Sequence, residues 1–546
     1  MIKRTILIVA LVAVVALPFL LRSRQAAPER ADVTVVIITP HNEAIRSEFG
    51  RGFRQWYHAR TGRTVLLDWR VIGGTSDITR FLEAEYIAAF RNYWTGKLGK
   101  PWNAEIQAGF TNPKLAADAP PLVREARRAF LDSGVSCGID LFFGGGSYDF
   151  IRQADAGRLV PSQLLRTHPE WFADAVIPQT YSGEVYWDRQ GLWFGNVLST
   201  YGILYNRDAI ARLGIASPPE RWDDLKDPRL VAELGLADPT KSSSIAKAFE
   251  NLIQQKIQKR LAVLRQAAGN RAARDLEAQA VREGWVTGLQ LIQLIGANAR
   301  YFTDSSQKPP IDVSQGDCAA GIAIDFYGRA QAEVTDERSD GKPRLVFVTP
   351  RGGSVASVDP IALLRGAPNR EAAEAFIEYT LSMDGQKLWN FKPGTPGGTE
   401  RFALRRMPLR KDFYAHDEWK PYRSDPDASP FDDEDHLVYR PEWTGGLFRE
   451  MAFVIRIMCL DTHDELAAAW RELIRAGVPP AALAALGDMS AISYDRMEAI
   501  RRTLNSKDKV DEIRLAKTLA AGFREQYRRA GELARENERA GVARPK

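Results

Sequence analysis

Lys241 and the hydroxyls of Ser242, Ser243 and Ser244 stand directly before a run from Ile245 to Leu264 whose apolar residues recur at helical spacing. The first turn of a helix carries backbone N–H groups without internal partners and the positive end of the dipole, so a carboxylate or phosphate is stabilised there. Three hydroxyl donors and an ammonium at one such end make an anion grip. The pattern recurs at Gly74, Thr75 and Ser76 in "GGTSD" and at Gly146 and Ser147 in "GGGSYD". A plainer reading stands beside it: a Ser or Thr ahead of a helix also serves as a cap, worth about 1 kcal/mol, and glycines also serve a tight turn. None is an ATP-binding phosphate loop. No Gly-Lys-Ser/Thr follows the glycines at 144–146, and no glycine run precedes Lys241.

Other side chains suit the remainder of a small solute. His41 and Asn42 lie in "TPHNE", just after a β-branched run, and Asp325 and Tyr327 lie in "DFYG". Asp325 would accept from hydroxyl or amino groups, while Tyr327 and Trp193 would cover an apolar or sugar face. The alternatives are a structural acceptor at a strand end, a core tryptophan and an ordinary loop histidine. Enzyme chemistry finds little support. There is no G-x-S-x-G elbow, and the histidines at 41, 58, 168, 416, 436 and 463 show no HExxH spacing. Cys137, Cys318 and Cys459 form no CxxC motif. The expectation is binding without turnover, with no catalytic residue, cofactor or resident metal.

The elements that must position these residues alternate. "VTVVIITP" (33–40), "TVLLDWRVI" (64–72) and "IDLFFGGGS" (139–147) each read as a strand, a small polar turn and then a helix. In the first helix Ile45, Phe49, Phe53 and Trp56 recur at three and four; in the one after Lys241, Ile245, Phe249, Leu252, Ile253, Ile257, Leu261 and Leu264 mark one buried face. The segment 262–283 reads as an exposed helical elaboration. Strands return at "CAAGIAIDFYGRAQA" (318–332) and "RLVFVTP" (344–350), and beyond about 400 an irregular stretch gives way to helices over much of 447–538. In an α/β fold of this kind the strand-to-helix turns line a crevice at the carboxyl ends of the strands, so the grips would converge on one ligand.

At 546 residues, 45% hydrophobic and 26% charged, the chain is of ordinary globular composition with room for two or three units. A net charge of +5 from 74 basic and 69 acidic residues is too weak to argue for nucleic acid. Lys3 and Arg4 precede an apolar run from Ile6 to Leu21, with Arg22 and Arg24 after it. This is an export signal, and the poor cleavage site around Ala26 and Ala27 favours an uncleaved anchor in the cytoplasmic membrane over a cleaved signal peptide. The rest of the chain is then periplasmic or extracytoplasmic.

"VTVVIITPHNEAIRSEFGRGFRQWYHARTG", "TVLLDWRVIGGTSD", "DLFFGGGSYDFIRQADAGRLVP", "YGILYNRDAI", "PERWDDLKDPRL", "ADPTKSSSIAKAF" and "AAGIAIDFYGRA" occur in this order. Over about residues 32–400 the chain resembles the extracellular solute-binding proteins of ABC importers, in the group of ferric-iron, thiamine, phosphonate and sugar-phosphate binders. The resemblance implies an α/β, two-lobed periplasmic-binding-protein-like fold with crossing strands near Gly195 to Gly202 and Thr349 to Asp359. The implied division is 1–31 as signal anchor or signal peptide, 32–195 with 350–400 as lobe 1, 196–349 as lobe 2, and 401–546 as a mainly helical extension beyond the family's needs, packing on the lobes or forming an interaction surface. It implies a solute in the interlobe cleft and an ABC permease as partner; the hydroxyls and helix starts make a small organic anion the better-suited solute. Ferric-iron relatives place a His, an acidic residue and two adjacent tyrosines in the site; here His41 and Tyr327 match, but Phe326 replaces one tyrosine and the glycine turn lacks a carboxylate. A metal binder, a membrane-anchored ligand sensor and an enzyme on the same fold are the alternatives.

Overall fold

Six-residue runs at Val33–Ile38 (β1) and Val65–Arg70 (β2) pair in parallel, from Val33 opposite Val65 to Ile38 opposite Arg70, and Leu141–Phe143 (β3) lies along the other side of β1. The computed structural model describes residues 31–267, 272–338, 343–431, 436–506 and 508–542. A hairpin of Thr180–Tyr181 (β4) and Glu184–Val185 (β5) precedes two consecutive strands, Phe194–Ser199 (β6) and Tyr201–Asn206 (β7), buried throughout. Leu234–Ala237 (β8), Ala299–Thr303 (β9), Ala320–Ile324 (β10), Leu345–Val348 (β11), Ser357–Leu363 (β12) and Met407–Pro408 (β13) complete the set. Apart from the two-stranded β4–β5 hairpin they form two mixed sheets, in the orders β13-β6-β12-β3-β1-β2 and β11-β7-β10-β8-β9.

The chain therefore passes between sheets twice. Only Thr200 separates β6 of the first sheet from β7 of the second, and residues 349–356 lead back from β11 to β12. These crossings join two lobes, as the resemblance implies, and each lobe has its own apolar core.

Helices follow the strand ends as the alternation requires. Glu43–Thr61 (α1) buries Ile45, Phe49 and Phe53 at the expected spacing, with Trp56 partly exposed. Thr75–Asn92 (α2) and Ser147–Asp155 (α3) follow β2 and β3; Ser243–Gln266 (α4) follows β8 and buries every apolar residue of its expected face. Ala273–Ala297 (α5) returns antiparallel to α4, and Asp325–Glu337 (α6) follows β10. The segment expected to be exposed around 262–283 is not wholly so. Leu264, Leu276, Ala280 and Val281 are buried, because later helices cover this hairpin.

Those helices are Phe448–Cys459 (α7), His463–Arg475 (α8) and Lys509–Val542 (α9). Met451, Ile455, Trp470, Phe523 and Tyr527 share one core with Trp285 and Ile292 of α5. The Trp470 indole donates to Asn298 at 2.8 Å, and the Trp285 indole donates to the carbonyl of Ile492 at 2.9 Å. The earlier part of the extension joins the first lobe instead, through β13 and the buried Leu404 and Leu409. No described helix is long and apolar enough to cross a membrane. The anchor expected at residues 6–21 lies outside the described residues. The three cysteines are free thiols, Cys318 and Cys459 buried and Cys137 half-buried.

Candidate functional site

Three helix starts meet where the lobes face one another. Gly74 is the N-cap of α2, Gly146 that of α3 and Ser242 that of α4, where the Ser242 hydroxyl accepts from the Ile245 N–H at 3.4 Å. A Cβ at position 74 would stand 2.8 Å from the carbonyl oxygen of Lys241, so only glycine lets the lobes approach this closely. Gly144 combines φ +91° with a His41 ring 2.5 Å from any added Cβ, which makes its turn equally dependent on the missing side chain. A Cβ at Gly145 would strike Thr75, and one at Gly146 would lie 3.8 Å from the Ser243 hydroxyl. The positive ends of helices from both sheets are thus brought together.

Beside them opens a cavity of about 840 Å³. Ser76 of α2, Tyr148, Asp149 and Arg152 of α3, and Thr240, Lys241 and Ser243 from the turn into α4 form one side; Phe448, Arg449, Arg456, Lys509 and Glu512 of α7 and α9 form the other. The Tyr148 and Phe448 rings, 4.6 Å apart, tie the first lobe to the extension.

Most of the cavity's cations are paired. Arg80 bonds Asp77, Arg449 meets Glu512 at 3.3 Å and Arg456 meets Asp461 at 3.3 Å. Arg152 and Lys241 make no ion pair among the described residues. Asp149 is 6% exposed. Its Oδ1 is 3.5 Å from the Thr79 hydroxyl, and its Oδ2 has no hydrogen-bond partner among the described residues. Burial pushes its carboxyl up to about 6, against the smaller opposing pull of Arg152, Thr79 and the nearby Ser243 hydroxyl.

Of the expected site residues, Ser76, Lys241 and Ser243 line this cavity, with Gly74, Thr75, Gly146, Ser147 and Ser242 in the turns that frame it and Ser244 half-buried in the first turn of α4. Asn42 caps α1, its side chain accepting from the Ile45 N–H at 3.1 Å. Trp193 is 2% exposed in the core of the first lobe. Asp325 is fully buried at the start of α6, where it accepts from the Phe326 N–H at 2.8 Å and lies 3.8 Å from Arg329; burial raises its carboxyl. Tyr327 packs on the Phe326 ring at 4.1 Å, and burial raises its phenol.

His41 lies behind the glycine turn in a second polar cluster. Its Nε2 is 3.5 Å from Asp359 and 3.5 Å from Arg406, and burial lowers its pKa, leaving a neutral imidazole. Arg406 reaches in from the extension, fully buried, to pair with Asp359 at 2.6 Å, donate to Ser199 at 2.6 Å and cover the Phe326 ring at 4.4 Å. Burial pushes the Asp359 carboxyl up, but Arg406 and His41 outweigh it and hold it below its ordinary value. Among the described residues no group of three or more His, Cys, Asp or Glu side chains is placed to hold a metal ion. Asp149, Arg152 and Arg406 are the residues that sequence reasoning missed. Asp149 stood in plain view, two positions after Ser147.

Residues 134–414 match the family model of the bacterial extracellular solute-binding proteins. An uncharacterized protein of Haemophilus influenzae is 26% identical over 272 residues, 45% of this chain and 69% of its own. The phosphoglycerate transport regulatory protein PgtC of Salmonella typhimurium is 27% identical over 191 residues, which is 35% of this chain and 39% of that protein, so the match spans well under half of that relative. Among solved structures, the periplasmic binding protein AfuA from Actinobacillus pleuropneumoniae, with fructose-6-phosphate bound, shares 17% identity at a TM-score of 0.43, over 65% of this chain and 81% of the other. Iron-bound HitA from Pseudomonas aeruginosa shares 15% at 0.42, over 78% and 99%.

Proposed function

The chain belongs to the bacterial extracellular solute-binding proteins, and from that premise we propose that it captures a small organic anion, bearing a phosphate, phosphonate or carboxylate, in the cavity at the meeting of α2, α3 and α4. Members of this family bind small solutes outside the cytoplasm and work with an ABC permease.

The observation that carries the reading is the convergence of helix starts from both lobes beside Lys241 and Arg152, two cations without a carboxylate of their own among the described residues. An anion placed there would meet peptide N–H groups, the Ser76 and Ser243 hydroxyls and two positive charges in a partly enclosed space, where each is worth more than in water. The name of the Salmonella relative, a phosphoglycerate transport regulatory protein, agrees with a phosphate-bearing solute.

Calorimetric titration tests it, with glucose 6-phosphate as the probe. Ser243→Ala weakens binding by about 1–3 kcal/mol, the cost of a lost hydrogen bond to a charged group, and Lys241→Ala weakens it as well. Unchanged affinity in both variants would remove the grip from the site.

A further inference from the structure

We propose that Asp149 reads a second group on the solute, so that the site takes anions that also carry a hydroxyl or ammonium donor and rejects anions that lack one. This rests on the reading of the cavity as an anion site. Asp149 is a strange residue to find in its wall. Among the described residues its Oδ2 has no hydrogen-bond partner, its Oδ1 is 3.5 Å from the Thr79 hydroxyl, the Ser243 hydroxyl is nearby without bonding Oδ2, and the residue is 6% exposed. A buried acceptor left without a donor carries its full desolvation cost, and a carboxylate beside a bound anion adds like-charge repulsion. A solute donor placed on Oδ2 relieves both.

The charges around Asp149 do not do this job. Arg152 sits one turn along the same helix and makes no ion pair with it; from α2 come Arg80, already held by Asp77, and Glu83; from the second lobe comes Lys241; from the extension come Arg449 and Lys509, both paired with Glu512, and Arg456, paired with Asp461. The solute's anionic group then lies against Lys241 and Arg152, and its hydroxyl or ammonium against Oδ2. The acceptor role that the sequence offers to Asp325 falls to Asp149, since Asp325 does not line the cavity. A hydroxyl-free phosphate would leave the buried Oδ2 without a donor. Burial raises the Asp149 carboxyl, in keeping with a group kept for recognition at a cost in stability.

The test compares glucose 6-phosphate with cyclohexylmethyl phosphate, similar in size and charge but without hydroxyls, by calorimetry on the full chain. The wild type binds the sugar phosphate about tenfold or more tightly than its analogue. Asp149→Ala abolishes that preference and binds the hydroxyl-free phosphate more tightly than the wild type does, because the repulsion is gone. Asp149→Asn, uncharged and of the same shape, shows the same gain for the hydroxyl-free phosphate should the alanine variant fold poorly. Lys241→Ala weakens both probes alike. Equal binding of the two probes by the wild type, or an undiminished preference in both Asp149 variants, overturns the role of Asp149 alone. A wild type that binds neither probe overturns the anion site and this inference with it.

Discussion

Burial pushes the Asp149 carboxyl up to about 6 from an ordinary 3.8. Between those values the folded chain holds a proton that the unfolded chain has already released, so this contribution to stability is complete below pH about 4 and is lost as pH rises through about 6. Asp149→Asn cannot ionise. It is therefore expected to be more stable than the wild type by about 2–3 kcal/mol near pH 7.5, with the difference shrinking towards zero near pH 4. Urea denaturation of both proteins across that range checks it, and a difference independent of pH would deny that ionisation is the cause. At this scale the sequence was partly readable. Ser76, Lys241 and Ser243, expected from type and position because hydroxyls and a lysine ahead of an amphipathic run have few uses, line the cavity. Asp149 lay within a quoted motif but looked like an ordinary acidic residue in a first turn. Arg406 gave no signal, since it meets His41 across 365 positions of sequence.

Among the elements, one segment of the extension does what no family pattern suggested. Tyr439 donates its N–H to the Ser182 carbonyl at 2.8 Å in the β4–β5 hairpin, Leu437 bonds the Ser354 carbonyl in the second crossing, and Arg440 bonds Gln254 of α4. At its centre Lys247 of α4 is buried between Glu184 of the hairpin, at 2.6 Å, and Glu250, at 2.9 Å, with the Tyr439 ring 3.5 Å from its ammonium. The Tyr439 hydroxyl and the Thr444 hydroxyl donate to Glu250 at 2.8 and 2.6 Å. Lys247→Ala strands two buried carboxylates and is expected to cost about 3–5 kcal/mol, read as a lower urea midpoint at unchanged m-value. A loss below about 1 kcal/mol would mean that the network is wetter than its burial implies. The strand, turn and helix succession of the lobes was legible because each step changes periodicity. This network was not, because Glu184, Lys247 and Tyr439 each look like surface residues until the segments meet.

For the whole molecule the consequence is that the extension is structural. Its helices complete the core of the second lobe, where Trp285, Leu289 and Ile292 would otherwise face water. Removing residues 441–546 is expected to yield a chain that aggregates or binds a hydrophobic dye; a stable, monomeric truncated protein would show the lobe to be self-sufficient. The two-lobed plan could be anticipated from the order of its motifs, but the helical tail carried no clue to the lobe it joins. Its apolar stripes fit any partner of the right shape, and only packing decides.

The central claim is that helix starts from both lobes hold an anion beside Lys241 and Ser243. A crystal structure of the full chain with glucose 6-phosphate measures this most directly. The account predicts the phosphate within hydrogen-bond distance of the Ser243 hydroxyl and the Lys241 ammonium, with a sugar hydroxyl on Asp149. A phosphate seated instead on Arg406 and His41, or on the outer surface of the extension, would contradict it.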